Sequence, residues 1–205
     1  MLESFHSGGV SLVLTWYAFM LSAVLMVPVA AALATHLPAL ADRPTARLLT
    51  LLAGSAAGLL QAIGLSRWVF AVHALARIQT DPTATEAARA QAQATFEMLN
   101  NWGGVAIGEH LGQILTVTFV LAVAVAQFAR KSRLDMVAGA TGLLAALMIA
   151  IGLCEGIALA TGTDPGILGL FTVVGYMAFT VWLILTGSCL LRGAASIAER
   201  KPVIA

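Results

Sequence analysis

Residues 103–129 read GGVAIGEHLGQILTVTFVLAVAVAQFA. This run contains one acidic side chain, Glu109, and neither lysine nor arginine. About 20 predominantly apolar residues let an α-helix cross the hydrocarbon core of a bilayer, so the run predicts a transmembrane helix. The whole chain has the same character: 60% of its 205 residues are hydrophobic and 10% are charged, whereas soluble domains carry about a quarter charged residues. The sequence therefore predicts an integral membrane protein.

Other apolar runs along the chain have comparable length. The predicted spans are about 10–34, 48–78, 103–129, 136–160 and 167–191. We therefore expect an all-α fold, a polytopic membrane bundle of five transmembrane helices. The bundle is predicted to be a single domain over residues 1–192, with a cytoplasmic tail at 193–205. Pro28 predicts a bend in the first helix, because proline donates no backbone hydrogen bond and its ring crowds the preceding turn.

The connection between the second and third spans predicts more than a simple loop. Thr83, Ala84, Thr85 and Glu86 have the spacing of a capping box, which marks the first turn of a helix. An alanine-rich stretch follows and reaches Asn100. We expect an outer helix at about 83–100 that pairs with the end of the second span as an extramembrane helical hairpin.

Basic residues occupy alternate connections. One set follows the first, third and fifth spans and comprises Arg43, Arg47, Arg130, Lys131, Arg133, Arg192, Arg200 and Lys201. The connection between the second and third spans carries only Arg77 and Arg89. The positive-inside rule then predicts an amino terminus outside and a carboxyl terminus in the cytoplasm. The formal net charge is +1, which leaves no basic surface for nucleic acid.

Three charged residues inside the spans are expected at one height. Arg67 lies about 20 residues beyond Arg47, which is roughly 30 Å along a helix. Glu109 lies about the same distance before Arg130, which ends the third span. Glu155 lies about the same distance after Asp135, which begins the fourth span. Charges within a membrane usually face the bundle interior or a wet cavity. The alternative is that each side chain reaches water separately at the interface.

The spacing therefore predicts an outward-facing polar site between the second, third and fourth helices. Its candidate ligand-binding residues are Arg67, Glu109, Glu155, His110, Gln113 and Gln61. Glycines four residues apart near these positions, such as Gly104 and Gly108, favour close approach of the helices. Trp16, Tyr17, Trp68 and Trp102 are interpreted as a belt at the membrane boundary.

A metal or haem site is the less favoured alternative. Its candidates are His73, His110 and Glu109, but no Glu-x-x-His or His-x-x-x-His spacing is present. His73 is expected about 9 Å above the level of Arg67, which does not suit a pair of haem ligands. Motifs for a catalytic serine, a phosphate loop, a redox cysteine pair and a dinucleotide site are also missing from the sequence. No catalytic residue or cofactor is therefore predicted.

Three segments resemble a known family. They are LQAIGLSRWVF at 60–70, GVAIGEHLG at 104–112, and GY at 175–176 ahead of WLI at 182–184. In these segments the chain resembles bacterial membrane proteins grouped as domain of unknown function 4386, over most of its length from the second span onward. The resemblance implies a small helical protein of the bacterial inner membrane and carries no established reaction.

The sequence is compatible with two classes of function. In the preferred one, the chain is a non-catalytic accessory or assembly subunit of a larger membrane complex, and its buried charges fix helix register. In the other, it binds a small ligand, lipid, ion or proton at the outward-facing polar site. An enzyme is the least supported reading. The expected partners are the lipid bilayer and other membrane subunits or further copies of the chain.

Overall fold

The computed structural model describes residues 1–199, with the side chains of residues 1–193. Within this part of the chain the structure is helical and contains no strand. The α-helices are α1 Leu2–Ser7, α2 Gly9–Val24, α3 Met26–His36, α4 Pro44–Phe70, α5 Val72–Thr80, α6 Glu86–Leu99, α7 Gly112–Phe128, α8 Arg133–Gly152, α9 Cys154–Ala160 and α10 Leu168–Glu199. A 3₁₀ turn, Pro38–Leu40, precedes α4, and a π-helical segment, Asn100–Leu111, joins α6 to α7.

Five helical stretches are long and apolar enough to cross a membrane. They are Gly9–His36, Pro44–Thr80, Glu86–Phe128, Arg133–Ala160 and Leu168–Gly193. The predicted all-α fold class with five membrane helices is thereby confirmed. Helix α10 continues to Glu199, past the start of the predicted tail. Residues 200–205, including Arg200 and Lys201, lie outside the described residues.

The first span is interrupted close to its proline. Helix α2 ends at Val24 and α3 begins at Met26, with Leu25 between them. Pro28 cannot donate to the carbonyl of Val24, and its ring crowds that carbonyl. The interruption lies about one turn before Pro28, and the bend expected from the sequence stays a prediction.

The chain divides into two compact units. Unit 1 comprises Met1–Met26 and Ala57–Gly112, and unit 2 comprises Val27–Ala56 and the chain from Gln113 onward. Each unit has its own packed interior. The single domain expected over residues 1–192 stays a prediction.

Unit 1 has a small aromatic core formed by α1, α4, α5 and α6. Its buried members are Leu2, Phe5, Trp68, Val72, Ala76 and Phe96. Trp68 lies at the centre, with its ring 4.9 Å from that of Trp16, 5.6 Å from that of Phe5 and 6.0 Å from that of Phe96. The sequence-based belt assignment is wrong for Trp68, which is buried, but Trp102 is 69% exposed.

The hairpin expected between the second and third spans consists of α5 and α6, which pack against each other. Helix α6 begins later than expected, because the capping residue is Thr85, whose hydroxyl accepts from the backbone N–H of Ala88 at 3.2 Å. Thr83 is not the cap. Its hydroxyl and its backbone N–H instead donate to the carboxylate of Asp81 at 2.7 and 2.8 Å.

A π-helical segment replaces the break that was expected around Asn100. Its hydrogen bonds run from residue i to i+5, so each turn is wider than an α-turn. Gly103, Gly104 and Gly108 lie within it, and glycine lowers the steric demand of an unusual backbone. The chain therefore remains helical from Glu86 to Phe128.

Unit 2 is held together by close packing of α8 against α10 and by the interior face of α7. Phe119, Val123 and Ala124 of α7 are fully buried. Gly142 of α8 lies directly against Trp182 of α10, because a Cβ atom at Gly142 would come within 2.6 Å of the indole nitrogen. The missing side chain at Gly142 is therefore what lets the tryptophan enter the interior.

Candidate functional site

Arg67 lies near the end of α4, in unit 1, and its side chain is 10% exposed. One terminal nitrogen, Nη1, donates to the backbone carbonyl of Gly64. The other, Nη2, donates to the side-chain oxygen of Asn100 at 3.2 Å. The guanidinium carbon lies 5.1 Å from the centre of the Trp68 ring, which is within the range of a cation–π interaction. The cation thus has polar and aromatic partners inside its own unit.

Glu109 is the acidic partner of Arg67. The Arg67 Nη2 and Glu109 Oε1 atoms are 3.8 Å apart, and the glutamate side chain is 56% exposed. The structure therefore brings together two of the three charges that the sequence placed at one height. The long distance and the half-exposed carboxylate make this a weak pair, because solvent screens a large part of the attraction.

Glycine makes room for the arginine. The guanidinium lies against Gly104 so closely that a Cβ atom there would overlap its central carbon. Farther along the same contact, a Cβ at Gly64 would be 2.6 Å from the Cα of Gly108. Helix α4 and the π segment therefore touch backbone to backbone, and the expected role of Gly104 and Gly108 in close helix approach holds within unit 1.

The remaining candidates in unit 1 have mixed surroundings. Gln61 lies against Gly112, where a Cβ atom would be 2.9 Å from the glutamine Cγ. His110 has a buried Nδ1 atom with no hydrogen-bond partner. His73 is a half-buried residue of α5. Among the described residues, no three His, Cys, Asp or Glu side chains are grouped closely enough to hold a metal ion, so His73, His110 and Glu109 do not form such a group.

Two candidates belong to unit 2. Gln113 is buried in α7, and Glu155 is a half-buried residue of α9. The carboxylate of Glu155 lies against Gly169, where a Cβ atom would be 2.9 Å from Oε1. This contact packs α9 on α10 within the unit. The expected meeting of Glu155 with Arg67 stays a prediction.

Sequence reasoning missed a second polar group, which is neutral. Gln127 of α7 is fully buried, and its side-chain oxygen accepts from the indole N–H of Trp182 at 3.2 Å. Its amide nitrogen donates to the hydroxyl of Thr186, also at 3.2 Å. Polar residues near the ends of membrane spans are common, so Gln127 gave no signal of a buried polar site. The sequence therefore did not reveal its partners on α10.

Asn100 was also missed as a partner of Arg67. The sequence signal was present in the Asn100–Asn101 pair ahead of two glycines, but it was interpreted as a helix end. In the π segment the chain continues, and the amide of Asn100 faces back to α4. The unexpected helix type therefore explains why this polar contact was not anticipated.

The turn between α5 and α6 is an ordered hydrogen-bonded structure. The pKa of Asp81 lies below its usual value because the hydroxyl and the backbone N–H of Thr83 donate to its carboxylate. Arg89 of α6 donates to the backbone carbonyl of Asp81 at 2.8 Å. These contacts fix the geometry of the hairpin next to the site.

Comparison with known proteins adds a family. The family model described as "Domain of unknown function (DUF4386)" matches residues 1–187. The match is broader than the resemblance drawn from sequence segments, because it includes the first span as well. No curated protein matches the chain, and no solved structure matches it.

Proposed function

We propose that this chain, which belongs to the family described as "Domain of unknown function (DUF4386)", is a non-catalytic accessory or assembly subunit of a larger membrane complex. The chain is a membrane protein with five candidate spans. The proposal rests on the contacts that the Arg67 side chain makes inside unit 1.

The observation that carries the proposal is the internal engagement of Arg67. Its terminal nitrogens contact Gly64, Asn100 and Glu109, and its flat face lies near Trp68. These contacts fix α4 against the π segment at the base of α5 and α6. A buried ionic group used in this way sets helix register, which is the best-attested structural role of such groups.

In unit 1, helices α1, α5 and α6 form a module. In this proposal, the contacts of Arg67 stabilise the module. Its aromatic core includes Phe5, Val72 and Phe96, while Gln93 and Glu97 of α6 are exposed and hydrogen-bonded to each other at 2.8 Å. We place this module outside the bacterial inner membrane, with the amino terminus outside and the carboxyl terminus cytoplasmic. The support is the distribution of basic residues under the positive-inside rule.

Site-specific photo-crosslinking tests the proposal in cells. A photoreactive residue at Gln93 on the exposed face of α6 should give a discrete protein adduct if the module contacts a partner. The matched control is the same residue at Ile184, which is 67% exposed on α10 and is expected to face lipid. An adduct of twice the chain mass would identify a second copy as the partner.

The crosslinking result also has a clear negative. If Gln93 and neighbouring exposed positions of α6 give no protein adduct while the chain is folded and abundant, the accessory-subunit proposal is wrong. If the partner adduct persists in the Arg67→Met variant, the partner contact does not depend on the proposed structural role of Arg67.

Ligand binding near Arg67 is the second candidate, and a specific observation favours it. The Nε atom of Arg67 is buried without a hydrogen-bond partner, and the neighbouring Glu109 carboxylate is half-exposed. Mass spectrometry of protein purified in mild detergent tests this candidate. A small molecule that is retained by the wild type and lost from Glu109→Gln, with the same unfolding temperature, would favour binding over assembly.

A further inference from the structure

A groove in unit 2 lies where α3, the 3₁₀ turn, α4 and α10 meet. It has a volume of about 700 Å³, and its lining includes His36, Pro38, Ala41, Arg47, Leu190 and Leu191. This volume is within the range of about 300–1,000 Å³ that is typical of small-molecule sites. Nothing in the function proposed above uses it.

The lining of the groove combines a cation with apolar side chains. Arg47 lies on α4 within its first turns, and Leu190 and Leu191 lie near the end of the candidate span Leu168–Gly193. Leu191 is 73% exposed. The last turn of α3, where the candidate span Gly9–His36 ends, also lines the groove. The groove therefore brings apolar side chains and a cation together where two spans terminate.

Arg47 is held in place by the protein itself. Its Nε atom donates to the backbone carbonyl of Ala34, at 2.8 Å. Within the described part of the chain, no other hydrogen bond or ion pair of this side chain is present. Since a guanidinium has five N–H donors in a fixed fork, fixing Nε orients the terminal nitrogens for a planar or tetrahedral oxyanion. His36, which is exposed, also lines the groove.

A second polar cavity shares Pro38 with the groove. It has a volume of about 230 Å³ and is lined by Arg130, Asp135 and Arg192 among others. Arg130 pairs with Asp135 at 3.0 Å, and Arg192 adds a further cation to the lining of this cavity. Basic pockets between membrane helices at the cytoplasmic side are typical binding sites for anionic lipid headgroups.

We infer that this groove binds one anionic phospholipid, with the phosphate at Arg47 and an acyl chain along Leu190 and Leu191. The charge of Arg47 matches a phosphate, and the apolar side chains of the lining match an acyl chain. The bilayer around the spans supplies the molecule. This inference does not depend on the accessory-subunit proposal, because it concerns a different unit and a different set of residues.

Native mass spectrometry of the full chain tests the inference. The detergent-solubilised protein is titrated with phosphatidylglycerol or phosphatidylcholine of identical acyl chains. The wild type should retain the anionic lipid more strongly. Arg47→Gln should lower retention of phosphatidylglycerol about fivefold, since one basic residue near a membrane surface contributes about that factor, and should leave retention of phosphatidylcholine unchanged.

Arg43→Gln is the matched control. Arg43 lies four residues before Arg47 and is exposed, but it does not line the groove. It should change the retention of phosphatidylglycerol less than twofold. Equal losses in Arg43→Gln and Arg47→Gln would show a general surface charge effect and would overturn the site.

Two further variants keep the test decisive if Arg47→Gln does not fold. Arg47→Lys preserves the charge and should preserve the preference for phosphatidylglycerol. Ala41→Phe places a large side chain in the groove and should remove the tightest bound lipid while all basic residues remain. Equal retention of the two lipids by the wild type, or unchanged retention in Ala41→Phe, would overturn the inference.

Discussion

Each of the two units accommodates a polar side chain among its helices, and the two side chains differ in charge and in burial. In unit 1 the group is the charged Arg67, which keeps 10% of its side chain exposed and reaches a half-exposed glutamate. In unit 2 it is the neutral Gln127, which is fully buried and satisfied by Trp182 and Thr186. A charge needs residual access to polar surroundings because its desolvation is expensive. A neutral amide tolerates complete burial when its hydrogen bonds are made.

The largest effect is expected in the neutral interior. Trp182→Ala removes a fully buried side chain of α10 that packs against α7 and α8. The side-chain oxygen of Gln127 then lacks its indole donor. Loss of a buried aromatic residue costs about 3–5 kcal/mol. Thermal unfolding in detergent should show this loss, and Trp102→Ala at an exposed position is the control. Equal destabilisation by the two variants would contradict the assignment of Trp182 to the interior.

Gly104→Ala comes next, because its methyl group would occupy the place of the Arg67 guanidinium. We expect a loss of about 1–3 kcal/mol, as when buried polar groups lose their partners. The control is Gly103→Ala, since a Cβ atom at Gly103 meets no atom within 4 Å. Unfolding measured for both variants checks the prediction. A larger effect at Gly103 would show that backbone conformation, rather than the arginine, determines the cost.

Gln127→Leu should destabilise by an amount similar to that of Gly104→Ala, about 1–3 kcal/mol, because Trp182 and Thr186 lose their partner. The combined variant Gln127→Leu with Thr186→Val should recover part of this loss, since removing both partners is less costly than removing one. Unfolding of the single and double variants measures the coupling. Simple additivity would show that the contact contributes nothing.

A small effect is expected from Glu109→Gln, under about 1 kcal/mol, because the pair is long and its carboxylate is half-exposed. The difference between variant and wild type should shrink further as salt concentration rises. Unfolding temperatures at low and high salt check this. A large, salt-independent loss would show that the charge pair is buried far more deeply than its geometry indicates.

The smallest effect concerns the turn of the hairpin. Thr83→Ala should move the pKa of Asp81 upward toward its ordinary value, because the hydroxyl that donates to the carboxylate is removed. A lowered pKa in the folded state stabilises the fold above the unfolded pKa, and this contribution is lost as pH falls through the folded pKa. The variant should therefore lose less stability on acidification. Carboxyl NMR titration of Asp81 gives the direct measurement.

Sequence reasoning was most successful where bilayer thickness sets the pattern. The apolar runs matched the spans, and helix rise placed Arg67 near Glu109. It failed at α1, whose six residues are too few for a visible period. It also failed at Asn100–Leu111, where the chain continues as a π-helix instead of ending one helix and starting another. The hydrogen-bond partners of Gln127 depend on which helix packs against it, and the sequence around Gln127 does not specify that helix.

The stacking of Trp16 on Trp68 has a practical consequence. Two indoles this close couple their electronic transitions, so the native chain should show a near-ultraviolet dichroism signal that depends on the mutual orientation of α2 and α4. Phe5 of α1 stacks on Trp68, which is one of the two rings of this pair. Detachment of the amino-terminal helix could thus be followed optically, without any added label, while the rest of the chain stays folded.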